Sequence, residues 1–212
     1  MTDLDREVVD RLLTTTRAVR RRLDTTRPVE REVVLDCIRL AQQAPTAGNS
    51  QNWRWLVVDD PELRRGLAEL YRQAGEEYLR GTLEAATEEQ AQTRRVYASA
   101  VRLLDVLADV PVHVIPCLEG RPPAAATGGN AAGFFGSIFP AVWSFQLALR
   151  SRGLGTVLTT LHLQRQAEAA ALLGIPDGVT QVALLPVAYY TGSRFRPAER
   201  PPVETIVHLN GW

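Results

Sequence analysis

Ala44-Pro45-Thr46-Ala47-Gly48-Asn49-Ser50-Gln51-Asn52-Trp53 is the stretch on which the fold turns. An amphipathic helix precedes it over residues 30–43, where Val33, Val34, Cys37, Ile38, Leu40, Ala41 and Ala44 recur at helical spacing. Pro45 ends that helix, because a residue before proline is pushed out of the α region. A strand follows over 53–58, with Trp53, Trp55 and Val57 on one face. Small polar residues rich in backbone donors join the two, a composition that lets a flat polar ligand approach the main chain.

Toward the N-terminus, a helix over 5–16 leads into Arg17-Ala18-Val19-Arg20-Arg21-Arg22. Toward the C-terminus, Asp60-Pro61-Glu62 supplies an N-cap, a first-turn proline and an early acid, so a helix starts there and runs to about residue 78. A further helix is predicted over 88–108 and a strand over 110–117, with Pro111 and Pro116 near its ends. Residues 119–133 read as a flexible Gly/Pro/Ala loop. One long buried helix over 134–152 follows, closed by Gly153. A strand over 154–159, a short helix over 164–173 stopped by Gly174, and an apolar strand over 179–189 complete the pattern. Beyond it, Pro197, Pro201 and Pro202 mark an extended arm that needs something to lie against. Strands separated by helices around a long central helix predict an α+β fold, one domain over 1–212.

With 212 residues, 45% hydrophobic content and zero formal net charge, the chain can build a full core and offers nothing to a polyanion. No nucleic-acid partner is therefore expected from the short basic run. No apolar run approaches the roughly 20 residues that span a bilayer, so no membrane association is expected. The acidic, polar start is no secretory signal, and a cytoplasmic protein is expected. Cys37 and Cys117 fall on apolar positions and read as core residues rather than a disulfide or metal pair. His113, His162 and His208 lack metal-ligand spacing, and no metal is expected. There is no GxSxG, Walker, HExxH or GxGxxG motif. A chain with no protein-based catalytic device but a ligand-ready loop borrows its chemistry from a cofactor.

The loop at 44–53 resembles the "PSAGNSQPW" segment of the flavin-dependent nitroreductase family, with Asn52 in place of proline. Residues 17–22 resemble the family's "RRSVR" motif, with Ala18 at the serine and Thr16 at the first arginine. Gly153-Leu154-Gly155-Thr156 resembles its "GLGT" strand, residues 136–141 the start of its central helix, and residues 196–202 its closing "RPRKPLEEVV" segment. The resemblance implies a nitroreductase-like fold: a mostly antiparallel sheet flanked by helices, a long central helix, and arms over 190–212 swapped between the chains of a homodimer. Residues 66–135 fall where members differ.

It also implies bound FMN and NADH or NADPH as co-substrate. Electrons would pass through the flavin to a nitroaromatic, quinone or similar acceptor by a ping-pong mechanism, with no catalytic side chain needed. By resemblance, Arg17 and Arg20 grip the FMN phosphate and ribityl chain, and Ala18 lies at the cofactor between them without the family's hydroxyl donor. Arg21 is a substitute, and the choice among Arg20, Arg21 and Arg22 is open; Arg22 otherwise reads as surface. Thr46, Ala47 and Asn49 meet the flavin edge. Thr159 and Thr160 offer donors near N5 and O4, where reduction places negative charge. Arg200, with Arg196 as second choice, returns a cation to the phosphate. Ser137 and Phe139 line the substrate pocket. The rivals are a specialised member, such as a reductive dehalogenase or an azoline oxidase, and a non-catalytic flavin-binding sensor.

Overall fold

Helix starts in this chain follow from local chemistry. Asp5 caps α1 (Arg6–Thr15) by accepting from the Val8 amide, and Asp60 caps α3 (Pro61–Ala85) by accepting from the Glu62 and Leu63 amides. The computed structural model describes residues 4–123 and 129–212. The remaining helices are α2 (Arg31–Ala41), α4 (Ala91–Val106), α5 (Gly129–Gly136), α6 (Phe139–Ser151) and α7 (Gln166–Leu173). The strands are β1 (Trp53–Val58), β2 (Val112–Glu119), β3 (Leu154–Thr156), β4 (Val179–Gln181) and β5 (Leu185–Tyr189). The α+β expectation holds: the sheet runs β1-β2-β5-β3, every pairing is antiparallel, and β4 pairs with β2.

Period-2 alternation divides the core between the two sheet faces. On one face Trp53, Val112, Val114, Leu185 and Val187 pack with Val34, Cys37 and Ala41 of α2 and Val142, Phe145 and Leu149 of α6. On the other, Val58, Ile115, Cys117 and Ala188 pack with Leu67 and Tyr71 of α3, Leu103 and Leu104 of α4 and Ala169 of α7. Both cysteines are buried and unpaired, as expected. Burial pushes the Cys37 thiol up to about 11 and that of Cys117 up to about 12.

Several expectations need correction: the helix from Pro61 runs to Ala85 rather than to about residue 78, and the strand expected over 154–159 ends at Thr156. The 119–133 loop is helical from Gly129 onward, while residues 124–128 lie outside the described residues. The single helix over 134–152 is two helices, broken at Ser137 and Ile138. Pro140 sits in the first turn of α6, where its missing N–H breaks no hydrogen bond. The apolar stretch 129–151 is also long and apolar enough to cross a membrane by length and composition. That apolarity serves packing, since Ala141, Val142, Phe145 and Leu149 are buried core residues. Finally, the strand over 179–189 is interrupted. Cys117 pairs with Gln181 and Val114 with Leu185, so Ile115 and Pro116 on β2 face the longer segment 182–184. This is a β-bulge of one residue.

Candidate functional site

Residues 16–20 leave α1 and run beside β3, where the Val19 amide donates to the Thr156 carbonyl at 2.9 Å. The contact requires Gly155: a Cβ there would lie 2.9 Å from Val19 Cγ1, closer than packed carbons approach. Leu23 then forms a bridge with Tyr190, and the Asp24 amide donates to Tyr189 O at 2.8 Å. The basic segment is thereby stitched to the base of the C-terminal arm.

Arg22 is the main stitch, not a free surface residue. Its Nε donates to Thr191 O at 2.6 Å and its Nη1 to Arg194 O at 2.8 Å. The guanidinium also lies 4.1 Å from the centre of the Phe195 ring. Arg150 approaches the same ring at 4.8 Å, so two cations bracket one aromatic face set. Held in this way, the arm lays residues 194–200 against residues 16–20. Arg17 Nη1 donates to the Arg196 carbonyl at 2.9 Å, closing the contact across the chain's length.

An open groove of about 1030 Å³ lies between these segments. Arg17, Ala18, Arg20, Arg196 and Arg200 all line it, with Val157 and Leu158 from the segment just after β3. Trp143 and Gln146 of α6 and one face of α4 form its walls. None of its arginines is ion-paired among the described residues. Arg20 is half-buried, its Nη1 3.5 Å from Ser99 Oγ, and burial holds its pKa below the ordinary value. Concave and cationic, with Glu199 on its lining but in no ion pair with these arginines among the described residues, the site has the donor set for a phosphate.

Other expected residues lie elsewhere. Arg21 lines a neighbouring cavity rather than the groove. Thr159 is engaged internally: its Oγ1 is 3.0 Å from the Tyr71 hydroxyl, and its amide donates to Leu184 O. Thr160 is exposed beyond it, and its carbonyl accepts from Leu163. The loop at 46–52 is a strained turn, with Gly48, Asn49 and Gln51 all at positive φ. The Gln51 amide donates to Thr46 Oγ1 and Gln51 Nε2 to Asn49 Oδ1. Ala47 lines a separate cavity together with Ser137. Ser137, expected in a substrate pocket, is buried and works as a pin: its hydroxyl donates to Gly133 O and accepts from the Ala47 amide. Phe139 stands exposed beside Phe135. Asn52 takes the place of proline usefully, donating to Glu119 O at 2.9 Å and tying the loop to β2.

Gln92, Arg95, Val96 and Ser99 on α4, and Trp143 on α6, were not anticipated as site residues. The α4 set recurs at the spacing of one helical face, which is a readable signal.

The family model described as the nitroreductase family matches residues 13–189. The chain belongs to the nitroreductase family. An iodotyrosine deiodinase of Thermotoga neapolitana is 27% identical over 182 residues, covering 84% of this chain and 86% of the relative. A crystal structure of iodotyrosine deiodinase bound to FMN and 3-iodo-L-tyrosine superposes with a TM-score of 0.73 at 20% identity, covering 95% of this chain and 98% of the other. The FMN-dependent nitroreductase NfnB from Mycobacterium smegmatis, in complex with NADPH, superposes at 0.69 with 17% identity, covering 97% and 99%. These two structures share the fold of this nitroreductase-family chain.

Proposed function

We propose that this protein is an FMN-dependent oxidoreductase that carries electrons from NAD(P)H to a nitroaromatic, quinone or similar electron-poor acceptor. The observation that carries this reading is the cationic groove formed where residues 16–20 meet residues 194–200. Bound there, FMN would supply hydride acceptance from the nicotinamide and delivery to the acceptor. The residues present suit its phosphate: Arg17, Arg20, Arg196 and Arg200 lack carboxylate partners, and Ala18 adds no bulk. Arg22 orients this set by fixing the arm, and Trp143 with the α4 face shields one side of the groove from water.

In one chain the loop carrying Thr46, Ala47 and Asn49 borders a different cavity from the arginine groove. We assign the joining of the two to a second copy, so that each flavin is shared in a homodimer. The exposed apolar end of the arm supports this, since Ile206, Leu209 and Trp212 are 67%, 83% and 104% exposed.

The test is direct. The purified protein should show the visible spectrum of a flavin, bleach under NADPH or NADH without oxygen, and recover colour on adding a nitroaromatic or quinone. A protein that takes up no FMN would end this reading. A flavin that no nicotinamide bleaches would point to a sensing role. A second reading, reductive dehalogenation, is favoured by the similarity to the Thermotoga neapolitana deiodinase. Halide release from a halogenated phenol by the reduced protein would select it.

A further inference from the structure

Next to the groove lies a second open cavity of about 430 Å³, lined by Arg21, Glu88, Ala91, Arg94, Arg95 and Ala98. Arg95 borders both hollows, so they adjoin at this residue of α4. The α4 residues divide by helical geometry. One face, with Gln92, Arg95, Val96 and Ser99, looks into the groove, and the adjoining face, with Ala91, Arg94, Arg95 and Ala98, looks into the second cavity.

Three guanidinium groups here meet one carboxylate, Glu88. Among the described residues none of Arg21, Arg94 and Arg95 forms an ion pair. Ala91 opens α4, so the helix's N-terminal partial positive charge adds to theirs. Ala91 and Ala98 keep the cavity unfilled. Several other arginines on the helices are partnered: Arg72 and Arg80 each bind two carboxylates, and Arg39 does the same. An excess of cations in a concave surface suits an anion carrying two charges. The groove holds Arg17, Arg20, Arg196 and Arg200 for the flavin phosphate, and Arg21 and Arg94 stand outside it.

Building on the flavin-oxidoreductase reading, we propose that Arg21, Arg94 and Arg95 receive the 2′-phosphate of NADPH and make the protein select it over NADH. The two donors differ only in that phosphomonoester, and a guanidinium fork is the side chain that recognises it. Because the two hollows adjoin at Arg95, one molecule would place its nicotinamide at the groove and its adenosine phosphate at the arginines.

Two measurements on the flavin-loaded protein test this. With one acceptor held saturating, kcat/KM for NADPH should exceed that for NADH by at least about tenfold. Arg94→Ala, which touches only the second cavity, should erase about tenfold of that ratio while leaving NADH turnover unchanged. In calorimetry, adenosine 2′,5′-bisphosphate should bind about tenfold more tightly than adenosine 5′-diphosphate, and Arg94→Ala should abolish the difference. Equal use of both donors, an equal fall in both, or no calorimetric discrimination would overturn the proposal. So would an Arg94→Ala effect confined to the KM of an acidic acceptor, which would assign the cavity to that acceptor instead. The calorimetric arm needs no turnover. Failure to bind flavin would sink the parent reading, whereas loss of 2′-phosphate discrimination alone would sink this one.

Discussion

Replacing Arg22 by Ala should loosen the base of the C-terminal arm and, through it, the flavin. The change removes hydrogen bonds of 2.6 and 2.8 Å to Thr191 O and Arg194 O, together with the cation lying 4.1 Å from the Phe195 ring centre. Hydrogen bonds to charged groups are worth about 1.5–3 kcal/mol each when well buried. A half-buried arginine recovers part of that from water, so about 1 kcal/mol each is the appropriate scale, with about 0.5–1 kcal/mol for the ring contact. The docked arm thus loses about 2–3 kcal/mol, and every 1.4 kcal/mol shifts its docked-to-free ratio about tenfold. Because Arg196 and Arg200 ride on the arm, FMN affinity should fall by up to about 10- to 100-fold, the full effect coming where the free arm becomes the major form. Titrating FMN against the apoprotein by flavin fluorescence reads this directly, and limited proteolysis after residue 190 reads the arm itself. Arg22→Lys keeps the charge but not the fork, and should recover only part of the affinity. An Ala variant with FMN affinity within twofold of the parent and an equally protected arm would refute the reasoning.

Other outcomes follow from the same contacts. Arg17→Ala should also weaken FMN retention about tenfold or more, since one cation is lost at the groove; unchanged affinity by the same titration would remove Arg17 from the site. Gly155→Ala would bring a Cβ to 2.9 Å from Val19 Cγ1, and should lower stability by about 1–3 kcal/mol in urea unfolding; a neutral result would show that residues 16–20 can move away at no cost. His113 and His162 are fully buried, and burial lowers both from 6.5 to about 4. They bind fewer protons folded than unfolded, so their share of stability is intact above pH 6.5 and is lost as pH falls toward 4, by up to about 1.4 kcal/mol per pH unit for each. A urea midpoint that stays flat across that window would contradict it. Deleting residues 203–212 should lower dimer content and flavin occupancy together, as measured by sedimentation and absorbance; a monomer that keeps its flavin would overturn the shared site.

Much of the sheet and most helices are legible because side-chain period and capping act locally. Asp60-Pro61-Glu62 marks the start of α3, and the alternation of β1 assigns Trp53 to the core. Convergence is harder, because it depends on tertiary register. Arg22 reads as surface until the arm returns to it, and nothing near it in the chain announces Thr191 or Phe195 as partners. Arg21 and Arg20 are adjacent, yet one faces a second cavity and the other turns toward Ser99, since Val19 and Leu23 set the rotation of the segment. Two signals were present and unused. Pro140 marks a helix start inside what reads as one continuous helix, and the i, i+3, i+4, i+7 recurrence of Gln92, Arg95, Val96 and Ser99 marks a face that is neither core nor plain solvent surface. The role of Ser137 within the chain is hard to read for a different reason: its partners, Gly133 O and the Ala47 amide, include one that is distant in sequence.

The bulge between β4 and β5 is a place where this core strand can lose a residue without disturbing either layer. Gln181 lies on the α3 side of the sheet beside His162, and Leu185 and Val187 lie on the α2 side. Leu184 returns to the α3 side and Val182 to the α2 side, so Ala183 is the residue out of step. A chain lacking Ala183 would alternate without interruption and still present every one of these side chains to its present face. Losing one residue inside the unbroken alternation of β5 instead would move the side chains beyond it to the opposite layer. Divergence in chain length at this buried position can therefore proceed by shortening, and a homologue with a continuous strand here would keep the same core.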